Sequence, residues 1–569
     1  MKGLRGLALT LALATTLVAC GADDTSMTPP LDGDVPLDDV AEASVMRDTT
    51  SADDEPMTLD GDDVLDASAD AGVDAGADTS VDATGGDVPR DVTRDVATDR
   101  PADVTRDAGG VETVSVSHAR EFRAVWVATV SNINFPSRTG LSASAQQAEL
   151  VAMLDAMQRL NQNAIVFQVR PEGDALYRST LEPWSRFLTG RQGGDPGYDP
   201  LAYLVDQAHR RSIEVHAWLN PYRARTSTSV TSVAPHLSIT NPEAVVTYGT
   251  QVWMNPAARV VQDRLANVIR DLVQRYDLDG IHFDDYFYPY PISGTAFPDD
   301  DAFNAYRASG GTLTRGDWRR DNVNRMVERV HDTVTMTRAD VRFGISPFGI
   351  YRPGMPAGIS GLDAYNAIYC DPVRWMNQGW VDYLAPQLYW PTTQTAQAYG
   401  ALIAWWAGIT TGGRYIFAGN NLSSLGSSSA WTVEEIGRQV TLTRGQRARN
   451  AMGNIFFTIQ PFMSNRMGVT DVFRRDFYAR PALTPPLSGR RTTTLPTPDV
   501  RLTGRTVQLR GAPVRARGWV VYQSVSGAWQ VDRVLTATTT SVDLGVGRWA
   551  ITAVDRYGDE SVGVALDVR

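Results

Sequence analysis

Past residue 117 the chain alternates between two apolar rhythms. One repeats every second residue in short runs and predicts strands over 122–130, 164–170, 213–220, 280–286, 341–347, 383–390, 415–421 and 454–460. The other repeats every three to four residues and predicts helices between them. Leu150, Leu154, Met157 and Leu160 share one helical face, and Leu265, Val268, Ile269, Leu272 and Tyr276 share another. Eight strands alternating with helices over about 360 residues predict an α/β fold, the closed (β/α)8 barrel, across 118–485. A doubly wound open sheet is the alternative, but no Gly-rich phosphate loop follows the first strand. After Pro-Pro and Pro-Thr-Pro punctuation the rhythm changes. Short alternating runs such as 518–523 and 548–554, with no helical period, predict a small β-sandwich over 490–569.

The start of the chain fits neither rhythm. Lys2 and Arg5 precede an apolar run too short to span a bilayer, so residues 1–20 read as an export signal. The segment ends Leu17-Val18-Ala19-Cys20, which resembles a bacterial lipobox; that resemblance implies cleavage before Cys20, lipid on its sulfur and a membrane anchor. Residues 21–117 hold 26 acidic residues against five arginines and no aromatic residue. Such a composition buries too little apolar surface to offset its ordering entropy, which predicts a disordered, charge-extended tether. The tether absorbs more than the whole net charge of −12 and leaves the remainder positive, so the overall acidity is not a binding signal. With Cys20 assigned, Cys370 stands alone, which excludes an intrachain disulfide framework and a cysteine-based metal cluster.

In a barrel of this kind catalytic residues stand at the C-terminal ends of the strands, and alternate residues point inward. The second strand ends in phase with Gln168 and Arg170, the third with His216, Trp218 and Asn220, the fourth with His282, Asp284 and Tyr286, and the sixth with Gln387 and Tyr389. The loops that follow add Glu172, Asp174, Tyr222, Arg223 and Trp390. Aromatic faces beside in-plane hydrogen-bonding groups suit sugars, whose rings have apolar faces and hydroxyl edges. Neither a phosphate cradle, a basic stripe for nucleic acid nor a metal spacing such as HExxH is visible, so no cofactor, metal or nucleic acid is expected. Asp284 lies in the inward phase. Asp285 reaches the cleft only if the strand ends or bulges there. Two adjacent carboxylates at a strand mouth can have their pKa values driven apart, as glycoside hydrolysis requires. Asp279, before the strand, is expected at the barrel bottom as a turn or cap residue.

These residues carry a resemblance. EFRAVWVATV (121–130), QVRPEGDALYRSTLEPWS (168–185), GYDPLAYLVDQAHRR (197–211), HAWLNPYR (216–223), DGIHFDDYFYPYP (279–291), WRRDNVN (318–324), GISPFGIYRP (344–353) and APQLYWP (385–391) closely resemble the glycosyl hydrolase-like 10 family of bacterial envelope proteins. The resemblance implies a barrel, hydrolysis of glycosidic bonds and a polysaccharide substrate, with peptidoglycan strands freed of their peptides foremost. It implies Asp284 and Asp285 as catalytic residues. Arg170, Glu172, Asp174, His216, Trp218, Asn220, Tyr222, Arg223, His282, Tyr286, Gln387, Tyr389 and Trp390 follow as substrate-binding residues. For Arg170 and Arg223 an internal ion pair with a loop carboxylate is the competing reading.

The 279–291 segment also resembles the DGxDxDxEYP strand of chitinase-type barrels, but Tyr286 stands where those enzymes place the catalytic Glu. Two mechanisms stay open. In one, the substrate's acetamido group attacks the anomeric carbon while one Asp orients it and the other is the acid/base. In the other, Asp284 is the nucleophile and Glu172 or Asp285 the acid/base. The segment from Trp549 to Ser561 resembles fibronectin type III domains appended to secreted carbohydrate-active enzymes, implying a spacer or weak glycan binder. A catalytically dead glycan-binding lipoprotein would keep the same aromatic lining. The oligomeric state is not legible.

Overall fold

The computed structural model describes residues 104–106, 112–487, 490, 494–511 and 516–569; the export signal, Cys20 and most of the acidic tether lie outside the described residues. Eight parallel strands close into a barrel in sequence order, each hydrogen-bonded to the next and the last to the first: β1 (Phe122–Val127), β2 (Ala164–Arg170), β3 (Glu214–Leu219), β4 (Gly280–Phe283), β5 (Arg342–Ile345), β6 (Tyr383–Leu384), β7 (Tyr415–Asn421) and β8 (Ala451–Phe457). The helices between them are α1 (Ala143–Arg159), α2 (Pro200–His209), α3 (Arg259–Arg275), α4 (Arg315–Thr337), α5 (Pro372–Gln378), α6 (Tyr399–Gly408) and α7 (Val433–Arg444). Each starts and buries as its sequence dictates. The Ser142 hydroxyl accepts from the Ala145 amide to start α1, Asp199 accepts from Ala202 and Pro200 opens α2, and Thr314 accepts from Asp317 to start α4. On α3, Val261, Leu265, Val268, Ile269 and Leu272 are buried at helical spacing, each worth about 2 kcal/mol in apolar transfer. A Leu265→Asp change would break that face.

All eight expected strands form, but the first, fourth, fifth, sixth and eighth stop earlier than their apolar patterns run. β4 ends at Phe283 rather than 286, β5 at Ile345 rather than 347, and β6 at Leu384 rather than 390. Beyond these points the backbone leaves the ladder, and the inward-pointing residues there belong to loops over the mouth. Glycines shape the interior. An added Cβ on Gly280 would lie 2.5 Å from the His216 ring, and one on Gly344 2.0 Å from the Tyr383 ring, so both rings fit only because those positions lack a side chain. After β3 an antiparallel insertion (Arg223–Arg225, Val245–Tyr248, Gln251–Met254) rises beside the mouth.

The C-terminal region forms two sheets. β9 (Asp499–Thr503), β10 (Thr506–Arg510) and β13 (Ser541–Asp543) make one; β11 (Ala516–Val525), β12 (Ala528–Thr536), β14 (Gly547–Asp555) and β15 (Gly563–Val568) belong to the other. Between them Val507, Trp519, Val521, Trp549 and Ile551 form a core, while alternate residues Val520 and Tyr522 pack the opposite way, against Val114 and Leu483. The larger sheet has six strands because two segments ahead of the barrel join its edge. Glu112–Val114 pairs antiparallel with β15, and Val104–Arg106 pairs with Glu112–Val114. The ordered body therefore begins inside the stretch expected to be a disordered tether. Main-chain pairing to a partner some 450 positions away supplies the order that its own composition does not. No helix among the described residues is long and apolar enough to cross a membrane.

Candidate active site

β4 ends at Phe283, so the next two residues are freed from strand alternation and both carboxylates turn into the mouth. Asp284 and Asp285 are almost fully buried, yet each has its own set of donors. Asp284 Oδ2 accepts from the Trp218 indole at 2.9 Å and from the Asn220 amide; Oδ1 has only the Tyr286 backbone N–H, at 3.3 Å. Asp285 accepts from the Tyr290 hydroxyl, and the nearby Gln387 amide, whose Nε2 donates to the Ser346 carbonyl at 3.2 Å, favours its charged form. Burial raises Asp284 to about 7; Arg223, Trp218 and the Tyr286 amide pull down, and the neighbouring Asp285 charge pushes up. Burial also raises Asp285, with Tyr290 and Gln387 opposing. Donors fixed on Oδ2 leave Oδ1 as the oxygen that carries the proton when Asp284 is neutral.

Around the pair the mouth is aromatic. The Arg223 guanidinium lies 5.3 Å from the Tyr286 ring centre while its Nε donates to the Pro171 carbonyl at 3.0 Å. Tyr286 meets Tyr290 edge-on at 5.7 Å, Phe348 meets Trp390 edge-on at 5.7 Å, and Tyr389 lies 6.1 Å from Phe457. Trp218, Asn220, Arg223, Tyr286, Gln387, Tyr389 and Trp390 thus gather near the two carboxylates. Tyr290, Phe348 and Phe457 join them; they lie on loops or outside the strands whose phase was counted.

The remaining expected residues sit elsewhere. Arg170 is fully buried in a bidentate ion pair with Glu182 (2.6–2.9 Å) and donates to the Asn220 carbonyl, so its internal ion-pair reading holds. Glu172 has no free oxygen: Arg186 donates at 2.8 Å, and the Thr226 amide and hydroxyl at 2.7 and 2.6 Å. Those contacts outweigh burial and keep its pKa below the ordinary carboxylate value, which removes it as an acid/base candidate. Asp174 is sealed in the same loop, its Oδ1 accepting from the Glu172 amide; burial and the Glu172 charge raise it to about 7. Tyr222 is fully buried in the apolar core.

His216 and His282 also lie inside the barrel rather than at its mouth, because strand phase reports direction and not height. His216 is four residues below Asn220, about 13 Å along the strand, and His282 two below Asp284. They belong to a polar chain down the barrel interior. The Trp126 indole, which can only donate, lies 3.2 Å from His282 Nε2; His282 Nδ1 lies 3.0 Å from the Tyr383 oxygen, Tyr383 2.8 Å from His216 Nδ1, and His216 Nε2 3.3 Å from Glu214. One proton arrangement satisfies every link: each histidine accepts on the mouth side and donates towards the foot. Burial holds His282 neutral.

At the foot, Asp279 is where its position before β4 puts it. Its carboxylate accepts from the Val215 amide (2.9 Å) and His209 (2.8 Å), with Arg556 at 3.7 Å and Arg517 at 3.9 Å. Arg517 also binds Glu214, which accepts from Thr484 at 2.6 Å; Arg556 reaches Asp277 at 2.6 Å and Asp340 at 2.9 Å. The C-terminal sheets are thereby fastened to the barrel end opposite the carboxylate pair.

Residues 121–433 match the family described as glycosyl hydrolase-like 10. The chain is 38% identical to the glycosyl hydrolase YngK of Bacillus subtilis (strain 168) over 377 residues, covering 64% of this chain and 73% of that protein. It is 35% identical to the glycosyl hydrolase DigH of Escherichia coli (strain K12) over 328 residues, covering 54% of this chain and 74% of that protein. Among solved structures, the glycoside hydrolase domain of PgaB (BpsB) from Bordetella bronchiseptica aligns with 63% of this chain and 98% of its own length, at 13% identity and a TM-score of 0.42.

Proposed function

The chain belongs to the glycosyl hydrolase-like 10 family, and on that premise we propose that it cleaves N-acetylhexosamine-containing strands of an envelope glycan, peptidoglycan freed of peptides foremost. The observation that carries the reading is the carboxylate pair: two buried neighbours, donors assigned separately to each, inside an aromatic mouth. Asp284, near 7, holds a proton at working pH and delivers it from Oδ1 to the departing glycosidic oxygen. Asp285, whose charge helps raise Asp284, faces the developing positive charge, either by orienting the substrate acetamido group for attack or by acting on the anomeric centre itself. Tyr286, Tyr389 and Trp390 offer faces on which sugar rings stack.

This reading makes Asp284 the general acid, which a change of leaving group tests. Asp284→Asn is expected to lower turnover of denuded glycan strands at least 10³-fold, yet to keep most activity on an aryl N-acetylhexosaminide whose leaving group needs no proton. Near-normal turnover of glycan strands by the variant would sink the assignment. We extend the proposal to location: a lipid on Cys20 anchors the protein in the envelope, and the acidic tether gives the barrel reach.

A further inference from the structure

Asn220, expected to bind substrate, instead spends its amide on Asp284, and a second amide controls which way it faces. Gln168 on β2 is fully buried. Its Oε1 accepts from the backbone N–H of Thr129 and of Val130, both at 2.8 Å. A carbonyl so engaged leaves only its NH2 to face Asn220, and Gln168 Nε2 donates to Asn220 Oδ1 at 2.6 Å. Asn220 Oδ1 is thereby committed as an acceptor, and its NH2 must point at Asp284 Oδ2. The orientation of both amides follows from two backbone N–H groups that can only donate.

We infer that Gln168 is a positioning residue that selects which oxygen of Asp284 carries the catalytic proton. With the Asn220 NH2 and the Trp218 indole both donating into Oδ2, a proton on that oxygen would meet two donors, so it resides on Oδ1. Were Asn220 to turn over, its carbonyl would accept a proton from Oδ2, and the acid would be held neutral with its hydrogen aimed into the protein. The inference rests on the reading of Asp284 as general acid, and it extends that reading to a residue two steps away.

Gln168→Glu preserves the acceptor for Thr129 and Val130 but replaces the donor that faces Asn220 with a second acceptor, so Asn220 turns over. The added charge would by itself raise Asp284, so the variant is read in a cycle with Asn220→Ala. In the full chain, the alkaline limb of kcat/KM on denuded glycan strands is expected to move up by at least one pH unit in Gln168→Glu. In the Asn220→Ala background the same change should move it by less than a third as much. Equal shifts in both backgrounds would overturn the proposal, leaving charge alone as the cause. Gln168→Met, uncharged, guards against failure of the first variant to fold. It is expected to lower kcat at least fivefold with KM unchanged, and unaltered kcat overturns the proposal. An Asp284→Asn that still turns over glycan strands sinks the underlying reading; one that does not, with an unmoved limb in Gln168→Glu, sinks only the role of Gln168.

Discussion

At the foot of the barrel Glu214 and Asp279 are met by arginines from the C-terminal sheets, whereas at the mouth Asp284 and Asp285 are met by an indole, a side-chain amide and a phenol. All four are buried, and burial pushes each towards its neutral form. At the foot, Arg517 and Arg342 with the His216 hydrogen bond overcome that push and hold Glu214 at about 2; at the mouth nothing does, and Asp284 sits near 7. Arg223, the guanidinium acting on Asp284, is turned towards the Pro171 carbonyl and the Tyr286 ring. One end of the fold uses buried carboxylates to fasten domains together; the other leaves a buried carboxylate able to change charge near neutrality.

The sharpest way to separate the two ends is to neutralise one carboxylate at each. Asp284→Asn should cost turnover of glycan strands at least 10³-fold while raising stability by about 1–2 kcal/mol at pH 8, where it removes a desolvated charge. Glu214→Gln should do the reverse, costing about 3 kcal/mol of stability, the equivalent of its displacement from 4.5 to about 2. Denaturant titration beside a rate assay checks both, and a stabilised Glu214→Gln would erase the contrast. Next in size is Arg517→Met, which strands Glu214 and Asp279 without a shared cation and should cost about 3–5 kcal/mol.

The two ends should also part company with pH. Glu214 has a depressed folded pKa, so its contribution is complete above about 4.5 and disappears as pH falls towards 2. Asp284 has a raised one, so stability declines as pH climbs from 3.8 to about 7, whereas the proposed acid is lost only as pH rises through about 7. Stability measured across pH 2–9 beside kcat/KM should therefore fall on the acid side through Glu214 and decline again up to about pH 7, while the folded protein keeps its rate until pH passes about 7; a rate that tracked stability on both sides would contradict it. The smallest expected effect is from Arg223→Met. Removing a charge that favours ionised Asp284 should move the alkaline limb up by about half a pH unit.

The barrel was legible because its strands are short runs with an apolar residue at every second position and its helices carry one apolar face; both are local patterns. Phase brought Trp218, Asn220 and Asp284 together correctly because each stands near the end of its strand. It misled for His216 and His282, which point inward at a lower level, and for Arg170 and Glu172, whose charges suggested a ligand but answer to Glu182 and Arg186 within one loop. The ambiguity over Asp285 arose from extending β4 past Phe283; the break in the ladder, not a side-chain pattern, brings both carboxylates in. At the foot only Asp279 was legible, from its place before β4; its partners were not. Arg517 and Glu214 are 303 positions apart, and no short-range period can announce such a pair.

The pairing of Glu112–Val114 with β15 has a mechanical consequence. The chain enters the barrel from the six-stranded sheet, which Arg517 and Arg556 fasten at the pole opposite the carboxylates. A pull applied to the chain ahead of Glu112 would thus reach the molecule at its base, the end opposite the opening. Such tension would load an edge strand and leave the ring of parallel strands at rest, so whatever the mouth holds could be pulled upon without prying the carboxylate pair apart.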